Sequence, residues 1–312
     1  MKASRASFFA PGLAFDPKDS QGLNVGNNSG DQTVGSGESR TYTYYAHPAN
    51  KETTSLVWDG GNIVLNPRNG LYGAIVVGPK GSQYRDPVTG ADVSEKNTWR
   101  ADVIVDTSLS ENAGKRNYRD VALFFQDEDN IIGTAFMPYV QNVAGLTSVN
   151  YRAEPYKFRE TQGCSLGKIF QPCAVDKPED PITPLIEAHA GDAVRIHVIG
   201  ANSEQNGMFG VEGHEWPIEP YMPGADQISV VEYAGSEVLD VFIRGGAGGP
   251  YRQVGDFVWS NARLPYTQSG QWGYLRVLPA GDSRIQPLGT HGMGAKQAEV
   301  EPAVKAIPTA MK

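Results

Sequence analysis

Two ten-residue stretches two hundred positions apart, GLYGAIVVGP at 70–79 and GQWGYLRVLP at 270–279, share two glycines, a valine and a proline in one register. Tyr72 and Trp272 match as aromatics, and Trp58 and Trp259 precede the two copies at similar distances. Self-similarity of this kind is most economically two copies of one folding unit. A chain of 312 residues is long enough for two domains that each bury a core. With 36 Gly, 21 Pro and 10% aromatic residues against only 20% charged ones, it favours short strands joined by many turns over long helices. An all-β fold is expected.

Strand-like alternation appears in SRTYTYYA (39–46), with Tyr42 and Tyr44 on one face and Thr41 and Thr43 on the other. It recurs in DAVRIHVIG (192–200), where Val194, Ile196 and Val198 point one way and Arg195 and His197 the other. Both segments follow glycine-containing turns, GSGES and HAGD. The boundary between the copies falls near Asn117, where a linker-like SLSENAGKR gives way to a buried-type strand, Val121 to Phe125. The first domain is then 1–116 and the second 117–280. Residues 281–312, rich in Gly, Ala, Pro and charge, read as a flexible tail.

A net charge of -8 without clustered Lys and Arg argues against a nucleic-acid partner. No run approaches the roughly 20 apolar residues of a membrane span. The start, MKASRASFFAPG, lacks the uninterrupted apolar core and small-residue cleavage site of a secretory signal. Either the protein stays inside or its signal lies outside this chain. The two cysteines, Cys164 and Cys173, sit close together in GCSLGKIFQPC, and a local disulfide in an oxidising compartment is the favoured reading. With no histidine nearby they make a poor zinc site.

Four segments carry a more specific message: SFFAPGL (7–13), WDGGN (58–62) followed seven residues later by GLYG, GMFGVEGH (207–214), and SNARLPYTQSGQ (260–271). Together they resemble the multicopper oxidases, and among these the multidomain bacterial copper oxidases related to manganese oxidases and ceruloplasmin. The likeness runs from about Ser7 to Pro279. It implies two tandem cupredoxin-like Greek-key β-sandwiches, the first lacking its N-terminal strands.

The copper ligands of that family are replaced throughout. Against S-I-H-W-H-G-L the chain keeps Ser7, Gly12 and Leu13, with Phe9 and Pro11 at the histidine positions. Against W-Y-H-S-H it has Gly60 and Asn62. Against H-P-x-H-x-H-G-H it places Gly207, Gly210 and Glu212 at the ligand positions and keeps only His214, which in the family is generally not a ligand. Against H-C-H-I-x-x-H-x-x-x-G-M, Ser260 and Ala262 replace two bridging histidines, Asn261 the thiolate cysteine, Tyr266 a histidine and Gln271 the axial methionine. A blue copper site needs a thiolate and imidazoles. The resemblance therefore implies no catalytic, cofactor or metal residue on this chain. Any copper belongs to a partner chain or a missing segment.

The remaining candidates read structurally. Of His47, His189, His197, His214 and His291, His197 reads as a satisfied structural histidine and His214 as a structural hydrogen-bonding group. A rebuilt site around His189, His197 and Glu212 is a minor alternative. The acidic run QDEDN (126–130) offers carboxylates to a hard cation, but the resembled family carries a similar acidic turn. RGGAGGPYRQVGD (244–256) lacks the G-K-[ST] ending of a phosphate loop and reads as a tight loop with positive φ. NNS (27–29) fits a glycosylation acceptor only weakly.

In the family the segment matching SFFAPGL is an interior strand, whereas here six residues stand before Ser7. The expectation is a first domain completed by a second chain or a missing N-terminal segment, or a homo-oligomer. The functional expectation is a set of copper-free structural cupredoxin domains within a metal- or phenol-oxidising assembly, extracytoplasmic, with the chain alone not catalytic. The alternative is an extracytoplasmic binding or self-assembling matrix protein on the same fold.

Overall fold

The structure, a computed structural model, describes residues 5–28, 30–47, 52–128, 146–173, 180–202 and 205–289. His291 and part of QDEDN and NNS lie outside them. The first strands are β1 (Ala14–Phe15), β2 (Tyr44–Tyr45), β3 (Thr53–Trp58), β4 (Tyr72–Val77), β5 (Gln83–Arg85) and β6 (Arg100–Ile104). Then come β7 (Tyr118–Glu128), β8 (Leu146–Val149), β9 (Ile186–His189), β10 (Val194–Asn202) and β11 (Gly207–Val211). The last are β12 (Trp216–Pro217), β13 (Gln227–Ile228), β14 (Val230–Tyr233), β15 (Val238–Phe242), β16 (Gly255–Asn261) and β17 (Trp272–Leu278). The short helices are α1 (Leu65–Arg68), α2 (Tyr156–Thr161) and α3 (Leu264–Gln268). The fold is all-β.

A six-stranded sheet runs β15-β10-β7-β6-β5, with β8 also on β7, and faces a five-stranded sheet ordered β14-β11-β16-β17-β9. Between them lies the main core. Val121, Leu123, Phe125, Ile196 and Val198 come from the first sheet, and Ile186, Phe209, Trp259 and Leu275 from the second. Burying an aromatic such as Phe125 contributes roughly 1.5–3 kcal/mol. Strands from both sides of Asn117 share the first sheet, since β6 pairs antiparallel with β7 and β10 pairs parallel with it.

The second face of that sheet is also covered. Ala122, Ile199 and Ala201 pack with Leu56 of β3, joined by Trp58, Tyr72, Ala74 and Phe124. The β3–β4 hairpin therefore lies across the sheet, and its other face carries Val57 and Ile75 against Ala10, Leu13 and Tyr44. Both members of the internal repeat are strands that close antiparallel hairpins, β3-α1-β4 and β16-α3-β17.

Three expectations about local structure change. In 39–46 only Tyr44–Tyr45 is strand, because Tyr42 and Tyr44 send their hydroxyls to the carbonyls of Gln32 and Phe8 instead of aligning in a longer ladder. The linker-like segment before Asn117 contains a turn of 3-10 helix whose Asn112 is wholly buried, donating to the carbonyls of Lys80 and Asp106. Residues 281–289 are packed rather than loose: Ile285 and Leu288 are buried, and the carbonyls of Gln286 and Leu288 accept from Arg119 and Asn117. The expected disulfide is present between Cys164 and Cys173.

Polar groups fasten the hairpin to the sheet. His197 on β10 is 1% exposed and sits between Asp120 of β7 (Nε2–Oδ1 2.9 Å) and Asp240 of β15 (Nδ1–Oδ1 2.6 Å). Thr54 Oγ1 of β3 lies 2.9 Å from the same Nδ1. Beside it Arg195 bridges Asp240 and Glu52, with the Tyr118 and Tyr221 hydroxyls within hydrogen-bond reach of the group. Burial opposes the charged imidazolium, but Asp120 and Asp240 outweigh it and raise the His197 pKa. Burial likewise disfavours the Asp240 carboxylate, while His197 and Arg195 hold it well below the usual range.

A histidine whose folded pKa is raised adds stability that is complete below its unfolded value, near 6.5, and disappears as pH rises through the folded value. His197→Gln is expected to cost about 3–5 kcal/mol at pH 6, as for a broken buried ion pair. In urea unfolding across pH 6 to 9 the gap between wild type and variant should narrow as pH rises. A gap independent of pH would show that His197 is neutral in the fold.

Candidate functional site

Four of the positions that the resemblance assigns to copper in the second copy, Gly207, Asn261, Tyr266 and Gln271, come together at one end of the main core. β11 and β16 lie side by side, with Phe209 opposite Asn261 and Gly210 opposite Ser260. The α3 turn then brings Tyr266 and Gln271 back toward Asn261. Asn261, Tyr266 and Gln271 are all at least 98% buried.

They are joined to one another and to the backbone. Asn261 Nδ2 donates to Tyr233 Oη at 3.1 Å and to Gln271 Oε1 at 2.8 Å. Its Oδ1 accepts from the N–H groups of Met208 (3.1 Å) and Arg263 (3.2 Å). Gln271 Nε2 donates to the Gln126 carbonyl at 2.9 Å, and Tyr266 Oη donates to Gln205 Oε1 at 3.2 Å. Every polar atom of the Asn261 side chain is used.

Gly207 has no room for a side chain. A Cβ there would lie 2.1 Å from Tyr233 Cζ, so the tyrosine ring occupies that space. Tyr233 comes from β14, where it pairs directly with Gly207. Burial pushes its pKa far upward, so it stays a neutral phenol. Motif reading missed Tyr233 because it lies outside all four segments. The usable signal was the glycine at a ligand position, which leaves a volume that some other side chain must fill.

The other assigned positions do not converge into a comparable cluster. Glu212 is exposed, Ser260 half-buried and Ala262 exposed. In the first copy Phe9 exchanges both backbone hydrogen bonds with Trp58, each at 2.9 Å, and Pro11 is exposed. A Cβ on Gly60 would meet Leu23 Cδ2 at 2.3 Å and the Gly22 carbonyl at 2.4 Å. Asn62 Oδ1 accepts from the N–H of Leu65 at 3.0 Å. Asp59, overlooked in the sequence, organises this loop by accepting from the N–H groups of Ser7, Gly61 and Asn62 and from Asn66 Nδ2.

A chain of hydrogen bonds links the two regions. Tyr72 Oη donates to Gln126 Oε1 at 2.9 Å, Gln126 Nε2 donates to the Arg68 carbonyl, and the Gln126 carbonyl accepts from Gln271.

The histidines are used structurally. His214 Nε2 accepts from the Gly248 N–H at 3.0 Å while Nδ1–H faces the Glu212 carbonyl at 2.7 Å. His189 lies beside Arg119 and Asp192, with Nε2 2.9 Å from the Asp282 carbonyl. His189, His197 and Glu212 thus have partners in three separate places, and the described residues contain no group of three or more metal-ligating side chains. The glycine-rich loop is built on positive φ at Gly245, Gly246, Gly248 and Gly249, and among the described residues no helix of eight or more residues follows it.

No protein-family profile and no curated protein sequence matches the chain. Solved structures do. Blue copper oxidase from Nitrosomonas europaea superposes with a TM-score of 0.52 at 14% identity, over 89% of this chain and 70% of that one. The multicopper oxidase mgLAC gives 0.51 at 15% identity, over 90% and 73%. At that identity the likeness establishes the fold: the chain is a cupredoxin-like β protein of the architecture seen in multicopper oxidases.

Removing the centre of the buried cluster should be costly. Asn261→Leu strands the Tyr233 hydroxyl, the Gln271 amide oxygen and two backbone N–H groups, for an expected loss of about 2–5 kcal/mol. The pair Asn261→Leu with Gln271→Leu should cost less than the sum of the two single changes, since each single change orphans the other's side chain. Strict additivity in a double-mutant cycle would mean that the two side chains are not coupled.

Proposed function

We propose that this chain is a copper-free structural part of a multicopper oxidase-like assembly, which oxidises metal ions or phenols at centres held elsewhere. The observation that carries the reading is the buried cluster of Asn261, Gln271, Tyr266 and Tyr233. A copper of the blue type is held by a thiolate and imidazoles. Here the corresponding side chains are two carboxamides and a phenol, Asn261 is hydrogen-bonded to Gln271 and to Tyr233, and the Gly207 position is filled by the Tyr233 ring. This donor set does not fit copper. Protonated phenols and carboxamides are weak, hard ligands, and binding would first require breaking a network whose members have no solvent to turn to.

The surrounding framework supports a scaffold rather than a decayed protein. The cluster is satisfied and tightly packed, as expected where selection maintains a core after its ligand is gone. The disulfide favours an oxidising, extracytoplasmic location. No helix among the described residues is long and apolar enough to cross a membrane.

The test is elemental analysis with native mass spectrometry on protein isolated from its source, followed by separation of its chains. Copper in the intact complex and none retained by this chain is the expected result. One or more coppers held tightly by the separated chain would overturn the reading. A copper-free homo-oligomer would favour a binding or matrix role on the same fold.

A further inference from the structure

We propose that the open edge of β4 receives a parallel strand from a second polypeptide, in the place that β9 takes beside β17. The inference deepens the scaffold reading and rests on it for the existence of a partner. The internal repeat carries it. In the five-stranded sheet the order β11-β16-β17 ends on β9, whose Ile186–His189 run parallel to Leu275–Leu278. In the first copy Phe9 bridges to Trp58 as Gly210 does to Ser260, and Trp58 pairs with Tyr72 as Ser260 does with Trp272. The correspondence continues along β4 to Ile75–Gly78, where no strand among the described residues takes the place of β9.

Backbone directions agree. Trp58 spends its N–H and C=O on Phe9, so Trp58 and Tyr72 form a non-hydrogen-bonded pair. Tyr72, Ala74 and Val76 therefore turn their N–H and C=O away from β3. Of these, the Tyr72 carbonyl accepts from Tyr151 Oη at 3.3 Å. In β17 the equivalent groups are used: the Trp272 carbonyl accepts from Thr183 Oγ1, and the Leu278 carbonyl from Ala190 N at 2.9 Å.

Burial and charge point the same way. Six of the seven β17 residues are buried, whereas all six of β4 are only half-buried. Four outer strands of the two large sheets carry a charge, Arg85 on β5, Glu187 on β9, Glu232 on β14 and Asp240 on β15, a common guard against edge pairing, whereas β8, which pairs with β7, carries none. β4 reads Tyr-Gly-Ala-Ile-Val-Val and carries none. A cavity of about 810 Å³ runs along Gly70 to Ile75 and reaches across to Val57 and Trp58 of β3 and to Phe8. A second of about 250 Å³ continues past Ala74 and Val76, and Asn97, Thr98 and Trp99 wall both.

The occupant is a slim, uncharged, apolar strand. β4 of another copy does not suit, because two identical edges related by a two-fold axis pair antiparallel, whereas β9 lies parallel to β17. The strand's main chain would pair with Ala74 and Val76, and small apolar side chains like Ile186 and Ala188 of β9 would fill the space beside Ile75.

Hydrogen exchange and native mass spectrometry on the complex from its source test this, with the recombinant chain as reference. The Ala74 and Val76 amides should exchange at least about 100-fold more slowly in the complex. Ala74→Pro and Val76→Pro each remove an outward N–H that β3 does not use. Each should release the second chain while leaving the melting temperature of the isolated protein within a few degrees. Equal exchange of these amides in both forms, or full retention of the second chain by both variants, would overturn the strand site and leave the scaffold reading intact. Wild-type protein recovered without any second chain would overturn both. A homodimer dissolved by the prolines, or an intact mass revealing further residues of this same chain on the edge, would overturn the assignment to a second polypeptide.

Discussion

The parallel pairing of β7 with β10 is the contact on which the rest of the structure depends. Val194 to Gly200 run beside Arg119 to Phe125 without interruption, at the centre of the six-stranded sheet. Because side chains alternate across a strand, the pair serves two interiors at once. One face supplies Val121, Leu123, Ile196 and Val198 to the main core. The other presents Asp120, Ala122, His197 and Ile199 to the hairpin layer. A charge buried on either face of such a sheet is costly unless it is paired. That requirement explains why His197, Arg195, Asp120 and Asp240 form a closed set of ion pairs rather than isolated charges.

The same rule governs the end of the core where the resemblance locates copper. Polar backbone groups there must be paired and the volume filled, because a void in a close-packed core is costly. Four residues do this together. Asn261 and Gln271 supply donors and acceptors, and the Tyr233 ring occupies the volume beside Gly207. The glycine and the tyrosine therefore act as one unit on paired strands.

Much of this was legible in the sequence, and the failures have physical causes. The repeat predicted that 70–79 and 270–279 would play equivalent parts, and both became the second strands of hairpins with a short helix in the connection. The alternation in 192–200 was correct residue by residue, because hydrophobic period fixes the faces of a central strand. It misled at 39–46, where tyrosine hydroxyls found carbonyls outside any ladder. It was blind to Tyr233 and Asp59, whose roles depend on strand register and loop closure. Composition marked 281–289 as tail, yet two buried apolar side chains and two backbone carbonyls are enough to seat that segment.

The two copies of the hairpin differ in what holds them. β17 is flanked on both sides and buried, so apolar area and a complete ladder suffice to fix it. Among the described residues β4 has one neighbouring strand and stays half-buried, and a two-stranded hairpin is marginal alone. Its attachment depends correspondingly more on polar groups: Thr54 at His197, Glu52 at Arg195, Tyr72 at Gln126, and the Gly70 carbonyl at Tyr151. Directional bonds of this kind are individually modest but fix orientation more strictly than apolar contact does. They hold β4 in one orientation, so its outer edge is set in position before a strand pairs with it, and ordering it adds little to the cost of association.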